Sequence, residues 1–239
     1  MKSYQLSKFE ALNFSKGQKS FDQLISKFLK TDTPFEKNQI KKLCENDELR
    51  GQIYRTLPNL SSLILLANDS NVLSLLEKLS SLPSGSFCCV NINIRIDFSN
   101  RRLQTIHNLD LHQDFHYGNP LVTPEKSYVL WAPLRVLSKK TGGIQFMKNI
   151  NKIKGAVPHN QIVRTENMTP TWSINKDTNF NISLEEINLE EGEFLLFDMR
   201  HIHASAINND PIFPRITLQA RFSSFKQDGF LEYYKDLPS

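Results

Sequence analysis

The chain has 239 residues, 39% of them hydrophobic, enough to bury one sizeable core; all-β barrels of this length commonly remain single domains, so one domain, 1–239, is expected. The net charge of +4 is spread with no basic block longer than Lys41-Lys42, Arg101-Arg102 and Lys139-Lys140, which argues against a nucleic-acid partner and leans mildly towards anionic small molecules. Cys44, Cys88 and Cys89 are odd in number and argue against a disulfide framework; with no apolar leader in MKSYQLSKFEALNF and an apolar run, Leu63 to Ala67, too short to span a bilayer, a cytoplasmic protein without a membrane partner is expected.

Taken in chain order, the first eighty residues are mainly helical in pattern. Thr33-Pro34-Phe35-Glu36 is a capping box with Pro at the first helical position, and Phe35, Ile40, Leu43, Ile53 and Leu57 follow at roughly helical intervals. Asp69 or Ser70 opens a further helix carrying Val72, Leu73, Leu75, Leu76 and Leu79. After Leu82-Pro83-Ser84-Gly85 the texture changes to short β-rich runs: Phe87 to Phe98, Ser127 to Leu137, Gly143 to Phe146, Phe194 to Phe197 and Arg215 to Phe225. A helical portion, 1–85, is expected to pack on a mainly β core, 86–239, built as a closed or sandwiched antiparallel sheet. The segment from Asn149 to Asn181, rich in Asn, Lys, Thr and Pro, reads either as a polar, mobile loop over the mouth of that core or as an ordinary solvated connection.

Chemistry concentrates in His112-Gln113-Asp114-Phe115-His116-Tyr117. Alternate strand residues point to one face, so His112 and Asp114 can offer an imidazole and a carboxylate to one metal ion. A third ligand must arrive from elsewhere, and His203 lies 89 residues beyond Asp114, after the apolar run in GEFLLFDMRHIHAS. Two histidines and one carboxylate on one face leave three positions open on an octahedral metal, an arrangement that suits non-heme Fe(II) and O2. Strand alternation does not choose between His201 and His203. Arg215 and Arg221, on one strand and one face, are both candidates to neutralise an anion beside the metal.

The H-x-D of His112-Gln113-Asp114, the distal H-x-S of His203-Ala204-Ser205 and Arg215 twelve residues after His203, in PRITLQARF, resemble the phytanoyl-CoA dioxygenase family of Fe(II)/2-oxoglutarate oxygenases. The resemblance extends from about Cys88 to Phe222; the first eighty residues carry none of its motifs. It implies a double-stranded β-helix, a jelly-roll or cupin-like core with N-terminal helices. It assigns the metal ligands as His112, Asp114 and His203, leaving His201 outside the ligand set, and it favours Arg215 over Arg221 as the residue that grips the distal carboxylate of 2-oxoglutarate. Ser205 and Thr217 would add hydroxyls to that carboxylate. The implied reaction hydroxylates an unactivated C–H bond of a small-molecule substrate with formation of succinate and CO2; related halogenases lack the carboxylate ligand, so the presence of Asp114 favours hydroxylation. Trp131 through Phe146 resembles the family's strand and Gly-rich turn, but Met147-Lys148-Asn149-Ile150 departs from the Pro-Gly-Ser-His continuation.

The remaining candidates are weaker in type. Asn93 joins the cosubstrate group and Arg95 the substrate group, both on the strand before His112. His116 and Tyr117 lie beyond the metal pair, towards the expected mouth. With a polar loop above them, they imply a small polar or anionic metabolite. Cys88 and Cys89 have no partner at zinc-site spacing and read as strand packing. A cupin-like metal-dependent dioxygenase or isomerase that does not use 2-oxoglutarate would not require Arg215, and a non-catalytic metabolite-binding jelly roll is the third reading.

Overall fold

A computed structural model describes residues 4–99, 110–114, 125–135, 137, 140–148, 155, 157–162, 171–175 and 183–234. Five antiparallel strands form the larger sheet, in the order β1 (Tyr4–Lys8), β8 (Glu193–Asp198), β3 (Ser127–Pro133), β10 (Arg215–Ser224), β2 (Phe87–Asp97). A smaller sheet runs β7 (Leu184–Ile187), β4 (Ile144–Met147), β9 (His203–Ser205), and β5 (His159–Ile162) pairs with β6 (Thr171–Ile174) as a hairpin.

The two faces of the larger sheet follow from the period-two pattern of its strands. On β10, Ile216, Leu218, Ala220 and Phe222 join Ile94, Ile96, Leu130, Ala132, Phe194 and Leu196 in one apolar cluster. Helices α1 (Ala11–Leu29), α2 (Lys37–Glu45), α3 (Asp47–Thr56), α4 (Ser61–Ala67) and α5 (Ser70–Ser80) cover that face, contributing Phe14, Phe21, Ile25, Leu29, Ile53, Leu63, Leu66 and Leu76. Each such side chain, fully removed from water, contributes on the order of 1.5–3 kcal/mol. The helices stack closely: a Cβ on Gly17 of α1 would come within 3.0 Å of the Leu66 side chain of α4. The short helix α6 (Phe230–Tyr234) ends the described chain.

The opposite face carries Val129 and Trp131 of β3, Leu195 and Phe197 of β8 and Tyr4 of β1, which pack against Ile144 and Phe146 of β4. Rings fix the approach of the two sheets: Tyr4 stacks on Phe146 at 5.3 Å, and Phe146 meets the edge of Phe197 at 4.9 Å. Towards β2 this same face turns polar, with Arg215, Thr217, Gln219 and Arg221 of β10 paired in register with Asp97, Arg95, Asn93 and Asn91 of β2. All ten residues of β10 are buried. A strand with one fully buried polar face is costly unless each group finds a partner, so such a face marks a place where the fold has been shaped around something other than packing.

Several expectations change. The capping box at Thr33 does not form: Glu36 is itself the extended residue before α2 and makes no side-chain cap, while Phe35 stacks on Phe21 at 5.9 Å under the Arg135 guanidinium. The helical run from Phe35 to Leu57 is broken at Asn46, whose Oδ1 accepts from Leu49 N–H at 2.9 Å and starts α3 afresh. Asp69 caps α5 as its position suggests, accepting from Asn71 N–H. Strand β1 lies inside the stretch read as helical. The Asn149–Asn181 segment contains β5 and β6, so its described part is a paired hairpin; Val157 and Ile174 bury with Met147 and Ile202. Cys89 packs on the helix-covered core but Cys88 is exposed, because neighbours on a strand point to opposite faces.

Candidate metal centre

His203 stands at the start of β9, which is the edge of the smaller sheet. His112 is added to that edge by a single antiparallel bridge to His203, and Asp114 N–H donates to Met199 O at 2.9 Å. The His-x-Asp segment is thus not a regular strand, contrary to the expectation from alternation. A bridge and one further main-chain bond bring its two side chains to His203 instead.

The result is a buried trio. One ligand atom from each of His112, Asp114 and His203 lies within 4.8 Å of the others, and all three residues are buried. His112 Nε2 is 3.2 Å and His203 Nε2 is 3.9 Å from Asp114 Oδ1. Each imidazole is oriented through its other nitrogen: Nδ1 of His112 lies 2.7 Å from Asp110 O, and Nδ1 of His203 lies 2.9 Å from His201 O. A carbonyl only accepts, so both Nδ1 atoms carry a proton, and both Nε2 atoms face the carboxylate. Carbonyl-anchored imidazoles of this kind are the usual support of a metal-ligating histidine.

Electrostatics point the same way. Burial pushes His203 down to about 3, with the neighbouring His112 adding to the shift, so His203 is neutral at physiological pH. Burial would raise the Asp114 carboxyl, but the Arg221 guanidinium is the largest of the influences that oppose this, and the group is held well below the usual carboxylate range. Asp114 Oδ1, fully enclosed, has no hydrogen-bond partner among the described residues. A buried ionised oxygen facing two imidazole nitrogens finds no hydrogen-bond partner among the described residues, and a divalent cation would supply what it lacks. The donor set fits Fe(II).

A small cavity opens beside the trio, lined by Val129, Trp131, Ile144, Phe197, Ala204, Ser205 and Gln219. Trp131 and Ser205 therefore border the centre, and Gln219 is a lining residue that sequence reasoning missed; its place between Thr217 and Arg221 on a period-two strand is the signal that could have found it. His201 is buried outside the trio, its ring edge-on to Phe146 at 4.8 Å. His116 and Tyr117 lie outside the described residues.

The arginines divide differently from the expectation. Arg215 is buried and its guanidinium is heavily engaged: Nε and Nη2 donate to Asp97 Oδ2 at 3.2 and 2.9 Å, and Nη1 donates to Ala206 O at 2.7 Å, Gly143 O at 3.0 Å and Thr141 O at 3.3 Å. Of five N–H groups, one on Nη2 is left, too few for a two-point grip on a second carboxylate in this conformation. Arg95 pairs with the other oxygen of Asp97 at 3.2 Å. Thr217 Oγ1, buried on the same face, has no hydrogen-bond partner among the described residues. Asn93 donates to Asn91 Oδ1 at 2.5 Å. Arg221 faces the trio, with Nη2 3.1 Å from Asp114 Oδ2.

Gln113, between the two ligands, is also fully buried. Its amide donates to Gly155 O at 3.0 Å and Arg200 O at 2.5 Å and accepts from Val157 N–H at 3.0 Å, while its own N–H donates to His159 Nε2 at 3.0 Å. The β5–β6 hairpin is thereby tied to the ligand-bearing segment.

No helix among the described residues is long and apolar enough to cross a membrane. No protein-family model and no curated protein matches the chain. Solved structures do. EctD from S. alaskensis, with 2-oxoglutarate and 5-hydroxyectoine, aligns with a TM-score of 0.60 at 14% identity, over 93% of this chain and 72% of that one. The non-heme monooxygenase ThoJ aligns with a TM-score of 0.58 at 14% identity, over 93% and 74%. AviO1 from Streptomyces viridochromogenes Tue57 aligns with a TM-score of 0.53 at 10% identity, over 94% and 90%. The chain is thus similar in fold to non-heme iron and 2-oxoglutarate-dependent oxygenases, with a His-Asp-His trio able to hold a metal where its two sheets meet.

Proposed function

We propose that this protein is an Fe(II)/2-oxoglutarate-dependent dioxygenase that hydroxylates an unactivated C–H bond of a small polar or anionic metabolite. The observation that carries the reading is the buried convergence of His112 Nε2, His203 Nε2 and Asp114 Oδ1, with both imidazoles anchored through Nδ1. The likeness in fold to EctD, whose structure holds 2-oxoglutarate, supports it. The core is read as a double-stranded β-helix working as one domain with its helical N-terminal portion, and the phytanoyl-CoA dioxygenase-like assignment rests on the motifs alone.

Fe(II) held by His112, Asp114 and His203 would supply activation of O2, the oxidant of the reaction, with one oxygen atom going to the succinate formed from 2-oxoglutarate with loss of CO2 and the other to the C–H bond that is hydroxylated. The chain's part is positional. Burial keeps His203 neutral, and the carbonyls that accept from Nδ1 of His112 and His203 fix the orientation of both rings. Val129, Trp131, Ile144 and Phe197 give the cavity an apolar wall that keeps water from the reacting C–H. The polar face of β2 and β10 carries three guanidiniums, Arg95, Arg215 and Arg221, which meet two carboxylates, Asp97 and Asp114. That surplus of positive charge suits a dianionic cosubstrate, with Arg215, Ser205, Thr217 and Asn93 receiving its distal carboxylate, and Arg95, His116 and Tyr117 towards the substrate.

A second reading has one observation in its favour. Because Arg215 is already paired with Asp97 and three carbonyls, a metal-dependent dioxygenase or isomerase without 2-oxoglutarate needs no rearrangement of that residue. Anaerobic titration of 2-oxoglutarate into the Fe(II) protein separates the two. A metal-to-ligand charge-transfer band in the visible is expected, followed by succinate release stimulated by members of a metabolite panel. Iron binding without the band or succinate would favour the second reading.

A further inference from the structure

The two oxygens of Asp114 have different neighbours. Oδ1 faces His112 Nε2 at 3.2 Å and His203 Nε2 at 3.9 Å, whereas Oδ2 is 3.1 Å from Arg221 Nη2. A carboxylate can ligate a metal through one oxygen or through both. A planar guanidinium beside Oδ2, in a buried setting where neither ion is screened by water, opposes rotation of that oxygen towards a second cation.

Arg221 is itself held. Its Nη1 donates to Asn91 Oδ1 at 3.2 Å, and that oxygen also accepts from Asn93. The β10–β2 register shifts between Arg221 and Phe222, where Asn91 and then Cys89 stand opposite and Val90 is left over. A bulge of this kind bends its strand and re-aims the adjacent side chain, and bulges recur beside active sites for that reason.

We infer that Arg221 is the positioning residue of the metal centre: by holding Oδ2 of Asp114 it restricts the aspartate to one-oxygen ligation and keeps a third position open on the metal. The inference rests on the metal-centre reading above. With two imidazoles and one carboxylate oxygen, an octahedral ion retains three exchangeable positions; with both oxygens engaged it retains two, which a chelating 2-oxo acid would fill completely. Arg221 thus separates a centre that can take up a chelating cosubstrate and one further ligand from a centre that cannot.

The test counts water rather than turnover. Mn(II) is loaded into the full chain without cosubstrate, and exchangeable waters are measured by nuclear magnetic relaxation dispersion of the solvent. Three waters are expected for the native protein and two for Arg221→Gln; with 2-oxoglutarate added, the counts should fall to one and none. Two waters on the native protein would overturn the inference without recourse to any variant, which covers the case in which Arg221→Gln does not fold. A folded Arg221→Gln protein that keeps three waters, or that no longer takes up Mn(II), would overturn it as well. Failure of the underlying reading is distinct: the native protein would then bind no more Mn(II) than Asp114→Ala.

Discussion

His112 and His203 exchange both main-chain hydrogen bonds across their bridge, N–H to O and N–H to O, at 3.0 Å each, and their rings stand 4.2 Å apart. The ligand pair is therefore set by the backbone, and metal uptake should order little that is not already ordered. Binding should appear as stabilisation without a change in secondary structure. At a free Fe(II) or Co(II) concentration one hundred times the dissociation constant, unfolding should cost about 2.7 kcal/mol more than in the metal-free protein. Thermal melts with parallel far-UV circular dichroism check this; a large spectral change on metal addition would contradict a preformed site.

Removing a ligand should separate metal uptake from folding. Asp114→Ala and His203→Ala are expected to lose stoichiometric iron while keeping a cooperative melt. His201→Ala should retain iron but lose on the order of 1–3 kcal/mol, since a buried ring packed on Phe146 and Phe197 is removed. Metal content after gel filtration, read beside the melts, decides the ligand set. If His201→Ala empties the centre and His203→Ala does not, the assignment is reversed.

Acid should destabilise the metal-free protein. His203 lies at about 3 in the folded state against an ordinary value of 6.5. Between those values the unfolded chain takes up a proton that the folded one refuses, so stability falls as the pH drops through that window. Asp114 and Asp97 act in the same sense at lower pH, because both are held below the ordinary carboxylate value of 3.8. The urea midpoint should decline steadily from pH 7 to pH 4. A midpoint indifferent to pH over that range would show that His203 is charged in the fold.

The Arg215–Asp97 pair predicts a stability effect before any binding effect. Truncating one partner of a buried ion pair typically costs about 3–5 kcal/mol, and Arg215 also closes the ends of β4 and β9 through Gly143 O and Ala206 O. Arg215→Ala and Asp97→Ala should each be strongly destabilised, and the double variant should lose less than their sum. If Arg215 also receives the distal carboxylate, the affinity for 2-oxoglutarate should drop by roughly 30-fold or more. A destabilised Arg215→Ala protein with unchanged affinity would leave the residue a clamp and nothing else.

Gln113→Ala tests the tie between the β5–β6 hairpin and the ligand segment. The substitution leaves Gly155 O, Arg200 O and Val157 N–H without their shared partner in a buried place, a loss of about 2–4 kcal/mol. Hydrogen exchange should accelerate at Val157 and across the hairpin, with a weaker effect on β10. Unchanged exchange at Val157 would mean that the hairpin is held by other contacts.

Legibility in the sequence followed periodicity. The strands β2, β3, β8 and β10 and the helix α5 were readable because each is long enough to display its own period and end signals. On β10 even the sorting of Ile216, Leu218, Ala220 and Phe222 from Arg215, Thr217, Gln219 and Arg221 is written in the alternation. The pair His112 and Asp114 was readable because so few residue types can hold a transition metal, whereas His203 was preferred to His201 only by the resemblance of His203-Ala204-Ser205 to a family motif. Strands β1, β5, β6, β7 and β9 have three to five residues each, too few for a pattern to rise above composition. Only the tertiary structure decided how the two arginines are used. Arg215 and Arg221 share a strand and a face and lie roughly 20 Å apart along it, by the rise of an extended chain. Which carboxylate each one meets depends on what the fold lays over that face: Asp97 from the paired strand at one end, and Asp114 at the other, carried in by the His112–His203 bridge. Such partners are distant in sequence and bound by charge and register, and neither leaves a mark in the residues immediately around an arginine.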